Sequence, residues 1–458
     1  MISKEKEIEL KHKARRRSIK EGIFASAQGA FGSQFISPFA IAINSSNFLV
    51  ALYGAIGGLL GPLSQIHGSR LIEKESRKKI VLKGVLSEAL LWIPFIIVGI
   101  LFYKGIALSL LPFILIVTYA IQIIVADIAG PAWFSWMGDI VDEEYRGRWF
   151  SKRSLIHGFI ALILALAASF FMDFLKTKGW IILGFIILFS LALCFRLISW
   201  HLFKGQYEPK IKLKKGYYFS FWEFVKRAPK NNFGKFVIFR SFLSFATAIA
   251  SPLIAVYLLR NLQFNYVTYM IITLAGSMVS LLILELWGKI ADKYGNYRVL
   301  MLNAFLIPAI PILWILSPNP LYLIIVPSII GGMAWAGFNL SAGNFIYDNV
   351  SQEKRGLAVS YCNMLIGIGT FVGALAGAFL IKYLQTSSIT PIVIIFIISG
   401  ILRMLAVIIG IGRIKEVRKT RRFDGAKSLK NVILKEAKPT FIEETHQLMS
   451  IKKYIFED

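Results

Sequence analysis

Long apolar runs separated by short polar connections make up most of the chain. Each run is close to the roughly 20 residues that an α-helix needs to cross the hydrocarbon core of a bilayer. The runs lack the alternation of a membrane β-barrel, so they indicate helices. Twelve runs are recognised, at 22–43, 48–67, 81–103, 107–137, 153–175, 180–203, 236–259, 267–287, 299–317, 321–347, 357–384 and 391–412. The pattern predicts an all-α polytopic membrane protein with twelve transmembrane helices.

Composition supports this prediction and limits the chemistry. The chain is 56% hydrophobic and only 17% charged, whereas soluble proteins are about a quarter charged. Residues 1–21 are highly charged without an apolar core, so the first span is expected to direct insertion. Cys194 and Cys362 lie in apolar runs and the five histidines are scattered. We therefore expect no disulfide framework, no metal and no cofactor.

The basic residues are distributed unevenly between the connections. With the N-terminus inside, 45 of the 52 lysines and arginines fall on the inner side, five on the outer side and two within spans. The positive-inside rule then predicts a cytoplasmic membrane protein with both termini in the cytoplasm. The net charge of +26 needs no nucleic acid, because basic rims attract anionic lipid headgroups.

These spans divide the chain into five parts. We expect a cytoplasmic basic arm at 1–21, a six-helix bundle at 22–203, a central loop at 204–235, a second bundle at 236–412 and a basic tail at 413–458. Within the loop, aromatic residues beside Lys226 and Arg227 are typical of a short helix in the membrane interface, ending near Pro229.

The two bundles repeat each other. Ser37-Pro38 recurs as Ser251-Pro252, 214 residues later, and "DIVDEEYRG" at 139–147 recurs as "DNVSQEKRG" at 348–356, 209 residues later. The stretch at 69–82 is a degraded copy of the one at 288–301, displaced by 219 residues. Such landmarks in one order predict a duplicated six-helix unit with both copies in the same orientation, as in secondary transporters.

The segment "GKIADKYGNYRVL" at 288–300 resembles the loop signature of the major facilitator superfamily, G-x-x-x-D-x-x-G. The resemblance covers about 20–415 and implies two six-helix halves around a central cavity, with spans one, four, seven and ten lining it. The first-half copy departs from the signature, since Glu73 replaces the aspartate and Ser76 the second glycine. Span four has no arginine and span five no Gly-Pro, unlike drug–proton antiporters of the family.

In this family, contacts between such loops close the cytoplasmic gate. We expect Asp292 to pair with Arg355 and Glu73 to pair with Arg146 as a breakable latch. The alternative is that these charges only set topology and cap helices. The predicted gate comprises Gly288, Asp292, Gly295, Arg298, Asp348, Glu353, Arg355 and Gly356, with Glu73, Asp139, Glu144, Arg146 and Gly147.

Charges within membrane spans are costly and therefore are functional candidates. Asp127 in span four and Glu88 in span three are candidates for coupling to H⁺ or Na⁺, and the alternative is a structural pair between helices. The side chains expected to line the cavity are Gln28, Gln34, Gln122, Ser244, Thr247, Trp335, Asn339 and Asn344. These could instead be hydrogen-bonded contacts between helices.

The sequence favours a secondary transporter of a small molecule by alternating access, acting as a monomer. Coupling to ATP within the chain is not expected, since no G-x-x-x-x-G-K-[ST] loop is present. The alternatives are a membrane-embedded enzyme acting on lipid-linked substrates, which would need an acidic or histidine cluster, and a transporter-like sensor. Few charges in the expected cavity favour a neutral, amphipathic or singly charged substrate.

Overall fold

The computed structural model describes residues 4–72, 74–142, 146–209, 220–350, 352–384 and 390–417. Within these ranges the regular structure is entirely helical. We call the end of the bundle at which the first helix begins the basic face, because most lysines and arginines belong to its connections. The other end is called the opposite face.

The first half contains spans one to six. Span one is divided into the helix Lys4–Phe31, a 3₁₀ turn at Ser33–Phe35 and the helix Ile36–Ala42. The later spans run over Asn47–Leu71, Arg77–Leu90 with Trp92–Tyr103, Leu111–Ile140, Arg146–Thr177 and Ile181–Lys204.

The second half follows a short helix at Phe221–Arg227. Span seven consists of Asn232–Ala248, a 3₁₀ turn at Ser251–Leu253 and a short helical end at Ile254–Val256 and Tyr257–Asn261. The later spans run over Tyr266–Tyr294, Asn296–Leu306 with Ala309–Ile315, Pro320–Leu323 with Ile324–Ser328 and Ile329–Asn349, Gln352–Tyr383, and Pro391–Ile411.

Eleven helical stretches of the described chain are long and apolar enough to cross a membrane. Span one is the twelfth; its apolar part is divided by the 3₁₀ turn that follows Gly32. Its first helix passes through the predicted boundary at residue 21 without interruption. The predicted all-α architecture of twelve spans in two six-helix halves is confirmed.

Both repeated Ser-Pro pairs lie at helix interruptions. Pro38 stands at the start of the second part of span one, and Pro252 lies in the 3₁₀ turn of span seven. Proline has no N–H to continue the α-helical ladder, so it breaks or redirects a helix. Spans one and seven are therefore interrupted at equivalent depths in the two halves.

Glycines allow the helices to cross closely. A Cβ atom at Gly373 or Gly377 of span eleven would lie 2.1 Å from a backbone oxygen of span seven, so only glycine fits without a shift. Between the halves, Gly367 of span eleven meets the backbone oxygen of Gly58 in span two, and Gly158 of span five meets Leu281 of span eight. Spans two and eleven, and spans five and eight, thus form the two seams between the halves.

Candidate functional site

A chamber of about 810 Å³ lies between the two halves. Spans one and five of the first half and spans seven to ten of the second half form its walls. Its volume is within the 300–1,000 Å³ typical of small-molecule sites. The polar and aromatic lining residues are Gln34, Ser37, Ser251, Tyr269, Thr273, Ser277, Ser280, Trp314, Ser328 and Trp335.

Three of the helices around the chamber are irregular where they line it. Spans one and seven carry their 3₁₀ turns there, and span ten has a π-helical segment, Ile324–Ser328, that contains Pro327. The Ser328 hydroxyl donates to the backbone oxygen of Leu323 at 2.8 Å and compensates for the missing proline N–H. Such distortions occur frequently at functional sites, and broken helices line the substrate sites of many transporters.

Some polar groups of the chamber are occupied by protein contacts and others are not. The Thr273 hydroxyl donates to backbone oxygens within its own helix at 3.0–3.1 Å. Gln34, Ser251 and Ser277 are exposed although they lie deep in the bundle. Over the described ranges, their side chains have no hydrogen-bond partner in the protein. These three groups are available to a ligand.

Arg260 joins the two halves at the opposite face. Its guanidinium, at the end of span seven, donates to the Asn47 side chain and to the backbone oxygen of Ser45 in the first half. A longer contact of 3.5 Å reaches the backbone oxygen of Ile41. These contacts join the two halves at one edge of the opposite face.

Asp173 makes a second junction at the same face. This carboxylate at the end of span five accepts hydrogen bonds from the backbone N–H groups of Tyr266 and Val267 at 2.8 and 2.9 Å. These groups begin span eight, and a helix N-terminus carries partial positive charge that favours an acid there. Neither Arg260 nor Asp173 is among the site residues predicted from the sequence. In the sequence, each is only a single charged residue at the end of a span, which is a weak indication of a contact between the halves.

At the basic face a cleft of about 440 Å³ separates spans five and eight. It is lined by Phe150 and Leu155 on one side and by Gly288 and Asp292 on the other. The cleft and the chamber share Leu281 as a lining residue. The predicted gate residues Gly288 and Asp292 therefore stand along an approach to the chamber.

The duplicated loops form matching contacts in the two halves. In the first half, Arg77 donates to Asp139 at 2.6 Å and to the Ser135 hydroxyl at 3.2 Å. In the second half the equivalent positions are Asn296, Asp348 and Asn344. The Asn296 amide donates to Asp348 at 2.6 Å and accepts from Asn344 at 3.3 Å. Each aspartate at the end of a fourth span thus binds the first turn of a third span.

A glutamate after the last span of each half caps the same turn. Glu208 accepts from the backbone N–H of Lys78 at 3.3 Å, and Glu416 accepts from that of Tyr297 at 2.9 Å. Lys78 and Tyr297 are equivalent at the offset of 219. These glutamates are not predictable from the sequence, because only their contacts with the loops reveal their common role.

Glu88 belongs to a charge network inside the first half. It accepts from Arg196 of span six at 2.5 and 2.9 Å. Glu21 of span one, only 2% exposed, accepts from the Ser199 hydroxyl at 2.8 Å and lies 3.5 Å from Arg153. Spans one, three, five and six are thereby tied together.

Asp127 has a different environment. Its carboxylate accepts a hydrogen bond from the Gln65 amide of span two at 2.9 Å. Within the described chain no lysine or arginine forms an ion pair with it. The predicted coupling residues thus differ, since Glu88 has a cationic partner and Asp127 a neutral one.

The predicted cavity residues are dispersed. Gln34 and Trp335 line the chamber, whereas Gln28 and Gln122 are buried and Asn344 binds the basic-face loop. The others are placed outside the chamber wall, with Asn339 exposed and Ser244 and Thr247 partly buried.

The remaining predicted gate residues are Gly295, Arg298 and several residues that lie partly or wholly outside the described structure. Gly295 adopts a φ of 98° in the turn between spans eight and nine, a conformation that favours glycine. Arg298 lies in span nine. Glu73 and Glu144 lie outside the described residues. Arg146, Gly147, Glu353, Arg355 and Gly356 lie within helices, but the described part of the structure does not include their side chains.

Comparison with known proteins gives one family and several solved structures. The sequence profile of the Major Facilitator Superfamily matches residues 236–451, and no curated protein matches. A structure of the nucleoside transporter NupG is 15% identical with a TM-score of 0.64, covering 89% of this chain and 100% of NupG.

Two structures of bacterial ferroportin homologues are also similar. One, of a homologue of the iron transporter ferroportin in an inward-facing state, has a TM-score of 0.67 at 15% identity, covering 88% of this chain and 98% of the other. The other, outward-facing with soaked iron, has a TM-score of 0.58 at 14% identity, covering 87% and 98%. At these identities the likeness concerns the fold.

The fold is that of a multi-pass membrane protein built from two six-helix halves around a chamber. The second half of the chain, residues 236–451, matches the Major Facilitator Superfamily, and the whole chain shares its fold with the solved transporter structures compared above.

Proposed function

We propose that this protein is a secondary active transporter of a small molecule, in which the two halves rock about the chamber. One observation carries the proposal: a ligand-sized chamber lies between the halves, and polar contacts at the opposite face join the halves. The basic face then lies in the cytoplasm, as the lysine and arginine distribution predicts, and anionic lipids surround its rim. The protein acts as a monomer and carries no catalytic chemistry.

Arg260 and Asp173 form the outer latch in this proposal. Both make cross-half contacts with backbone groups, and these contacts must break before the chamber can open outward. The predicted inner latch, Asp292 with Arg355 and Glu73 with Arg146, forms when the basic face closes. The paired loops at Asp139 and Asp348 hold each half rigid, so that the halves move as units.

Asp127 is the proposed coupling residue. A carboxylate within a membrane span is costly, and its hydrogen-bond partner Gln65 supplies no positive charge. Asp127 can therefore gain a proton or bind Na⁺ without displacing a basic side chain. Glu88 is a weaker candidate, because Arg196 already neutralises it.

Two-sided accessibility of the chamber tests the proposal without knowledge of the substrate. Ser251→Cys places a thiol in the chamber, in a background in which Cys194 and Cys362 are replaced by serine and alanine. A membrane-impermeant thiol reagent is applied to vesicles of each orientation. We expect labelling from both sides, because both states of the cycle are visited.

Two single-cysteine controls define the sides. Ser69→Cys, exposed at the basic face, should react only from the cytoplasmic side, and Lys104→Cys, in a connection of the opposite face, only from outside. Labelling of Ser251→Cys from one side alone would contradict alternating access and leave a binding protein that does not transport. Counterflow in proteoliposomes then separates transport from sensing.

A further inference from the structure

The chamber wall contains no Asp, Glu, Lys, Arg or His among its described lining residues. Its polar side chains carry hydroxyl groups and one amide, and its two tryptophans carry indole N–H groups. Building on the proposed function, we infer that the substrate is an uncharged, ring-bearing molecule that carries hydroxyl or amide groups.

Electrostatics disfavours an ionic ligand in this chamber. Moving an ion from water into a protein interior loses hydration energy, which only a paired charge or several hydrogen bonds can replace. The charged groups described above, which include Asp127, Asp173, Arg260 and the Glu88–Arg196 pair, are not part of the wall. A neutral ligand with polar groups loses far less hydration on entering.

The available hydrogen-bonding groups come from three different helices. Gln34 belongs to span one, Ser251 to span seven and Ser277 to span eight. An amide and two hydroxyls can each donate and accept, so they match a ligand with several hydroxyl or amide groups. Because they come from both halves, one ligand that binds all three would bridge the halves.

An aromatic surface accompanies these groups. Trp335 of span ten lines the chamber with Tyr269 and Trp314. Trp335 is held edge-on to Phe338, with ring centroids 5.7 Å apart. Indole faces bind flat or ring-shaped apolar surfaces well. The ligand therefore combines a ring with a polar periphery.

Glycines provide the space beside Trp335. Gly331 and Gly332 lie one turn before Trp335 and line the chamber. A Cβ atom at Gly332 would lie 2.3 Å from the backbone oxygen of Gly276, so spans eight and ten touch there through their backbones. No side chain therefore projects from Gly331 or Gly332 between the hydroxyls of span eight and the indole.

Matched ligand pairs test this inference on the unaltered protein. The probes are nucleosides and mono- and disaccharides, each beside its phosphorylated or aminated counterpart, and binding is followed by tryptophan fluorescence and thermal unfolding. We expect at least one neutral probe to bind, with its charged counterpart at least tenfold weaker. A charged member that binds as well as its neutral partner, or a panel in which no neutral probe binds, overturns the inference.

Variants locate the binding in the chamber. Trp335→Phe should reduce the fluorescence response to the neutral probe by more than half, whereas Trp222→Phe, on an exposed residue of the short loop helix, should not. Ser277→Asp should weaken binding of the neutral probe at least tenfold and should strengthen binding of its aminated counterpart. The matched control Ser69→Asp adds the same charge outside the chamber and should change neither. An unchanged response in both chamber variants would contradict the inference.

The outcomes are separable from those of the proposed function. Two-sided labelling of Ser251→Cys requires no ligand. It can therefore be observed even if no neutral ring-bearing probe binds. Binding of a neutral probe with one-sided labelling would keep the ligand class and reject transport.

Discussion

At the residue scale, some charged side chains connect the two halves and others connect helices within one half. Arg260 and Asp173 contact backbone groups of the other half, whereas Glu88 and Arg196 pair within one half. In the proposed transport cycle, a contact between halves must break each time, but a contact within a half can persist. A charged residue whose partner lies in the other half is therefore a candidate for gating, and one whose partner lies in the same half is a candidate for stabilising that half.

Replacing Arg260 by glutamine should favour opening at the opposite face. The variant loses charged hydrogen bonds to Asn47 and Ser45, each worth about 1.5–3 kcal/mol. We expect external labelling of Ser251→Cys to become at least about tenfold faster, since 1.4 kcal/mol corresponds to a factor of ten. Lys104→Gln, which removes a charge from the same face, should leave the rate unchanged, and equal acceleration by both would refute the latch.

Asp173→Asn tests the second outer contact. The amide keeps an acceptor for the N–H groups of Tyr266 and Val267 but loses the charge that the helix N-terminus favours. The expected cost is about 0.3–1 kcal/mol, a rise of roughly twofold to fivefold in the same labelling rate. A slower rate than in the parent would show that Asp173 does not stabilise the closed face.

The two loop aspartates should differ in their effect on stability. Asp139 faces the guanidinium of Arg77, which is 1% exposed, while Asp348 faces the neutral Asn296. Asp139→Asn should cost about 1–3 kcal/mol, reduced by the half-exposure of Asp139, and Asp348→Asn about 1 kcal/mol. Thermal unfolding in detergent measures both, and a larger loss in Asp348→Asn would contradict this assignment.

At the element scale, irregular helices and glycine contacts shape the chamber. Length and hydropathy were sufficient to predict the spans, and the Ser-Pro pairs lie at the breaks in spans one and seven. The repeat offsets also placed Asp139 and Asp348 at equivalent positions, and the structure finds equivalent partners for them. The duplicated unit is thus readable from spacing alone.

Other features of the elements could not be predicted. The π-helical segment at Ile324–Ser328 depends on how span ten packs against span eight. Arg260 and Asn47 lie 213 residues apart, and no local pattern links them. The lining residues Ser277 and Ser280 belong to span eight, which the family resemblance had not included among the cavity helices.

Gly332→Ala should disturb the crossing of spans eight and ten. Its Cβ would lie 2.3 Å from the backbone oxygen of Gly276, which forces the helices apart at a cost of about 1–3 kcal/mol. Gly343→Ala in the same helix meets no atom within 4 Å and should be neutral or stabilising by up to about 1 kcal/mol. Unfolding midpoints compare the two, and equal values would show that the crossing tolerates a side chain.

At the scale of the whole molecule, we propose that the two halves move against each other around the chamber. Phe48 of span two and Phe379 of span eleven lie on different halves near the opposite face, with ring centroids 5.5 Å apart. Tyr53 and Tyr119 lie within the first half at 5.2 Å. A bond across the first pair should prevent outward opening, while a bond across the second leaves the halves free to move.

The most direct measurement is external labelling of Ser251→Cys in a chain that also carries Phe48→Cys and Phe379→Cys, before and after oxidation. Disulfide formation should abolish external labelling and leave cytoplasmic labelling intact, and a reductant should restore external labelling. In the control chain, Tyr53→Cys and Tyr119→Cys are oxidised in the same way, and Ser251→Cys should still be labelled from both sides. External labelling that continues after complete cross-linking of Phe48→Cys to Phe379→Cys would contradict movement of the two halves against each other.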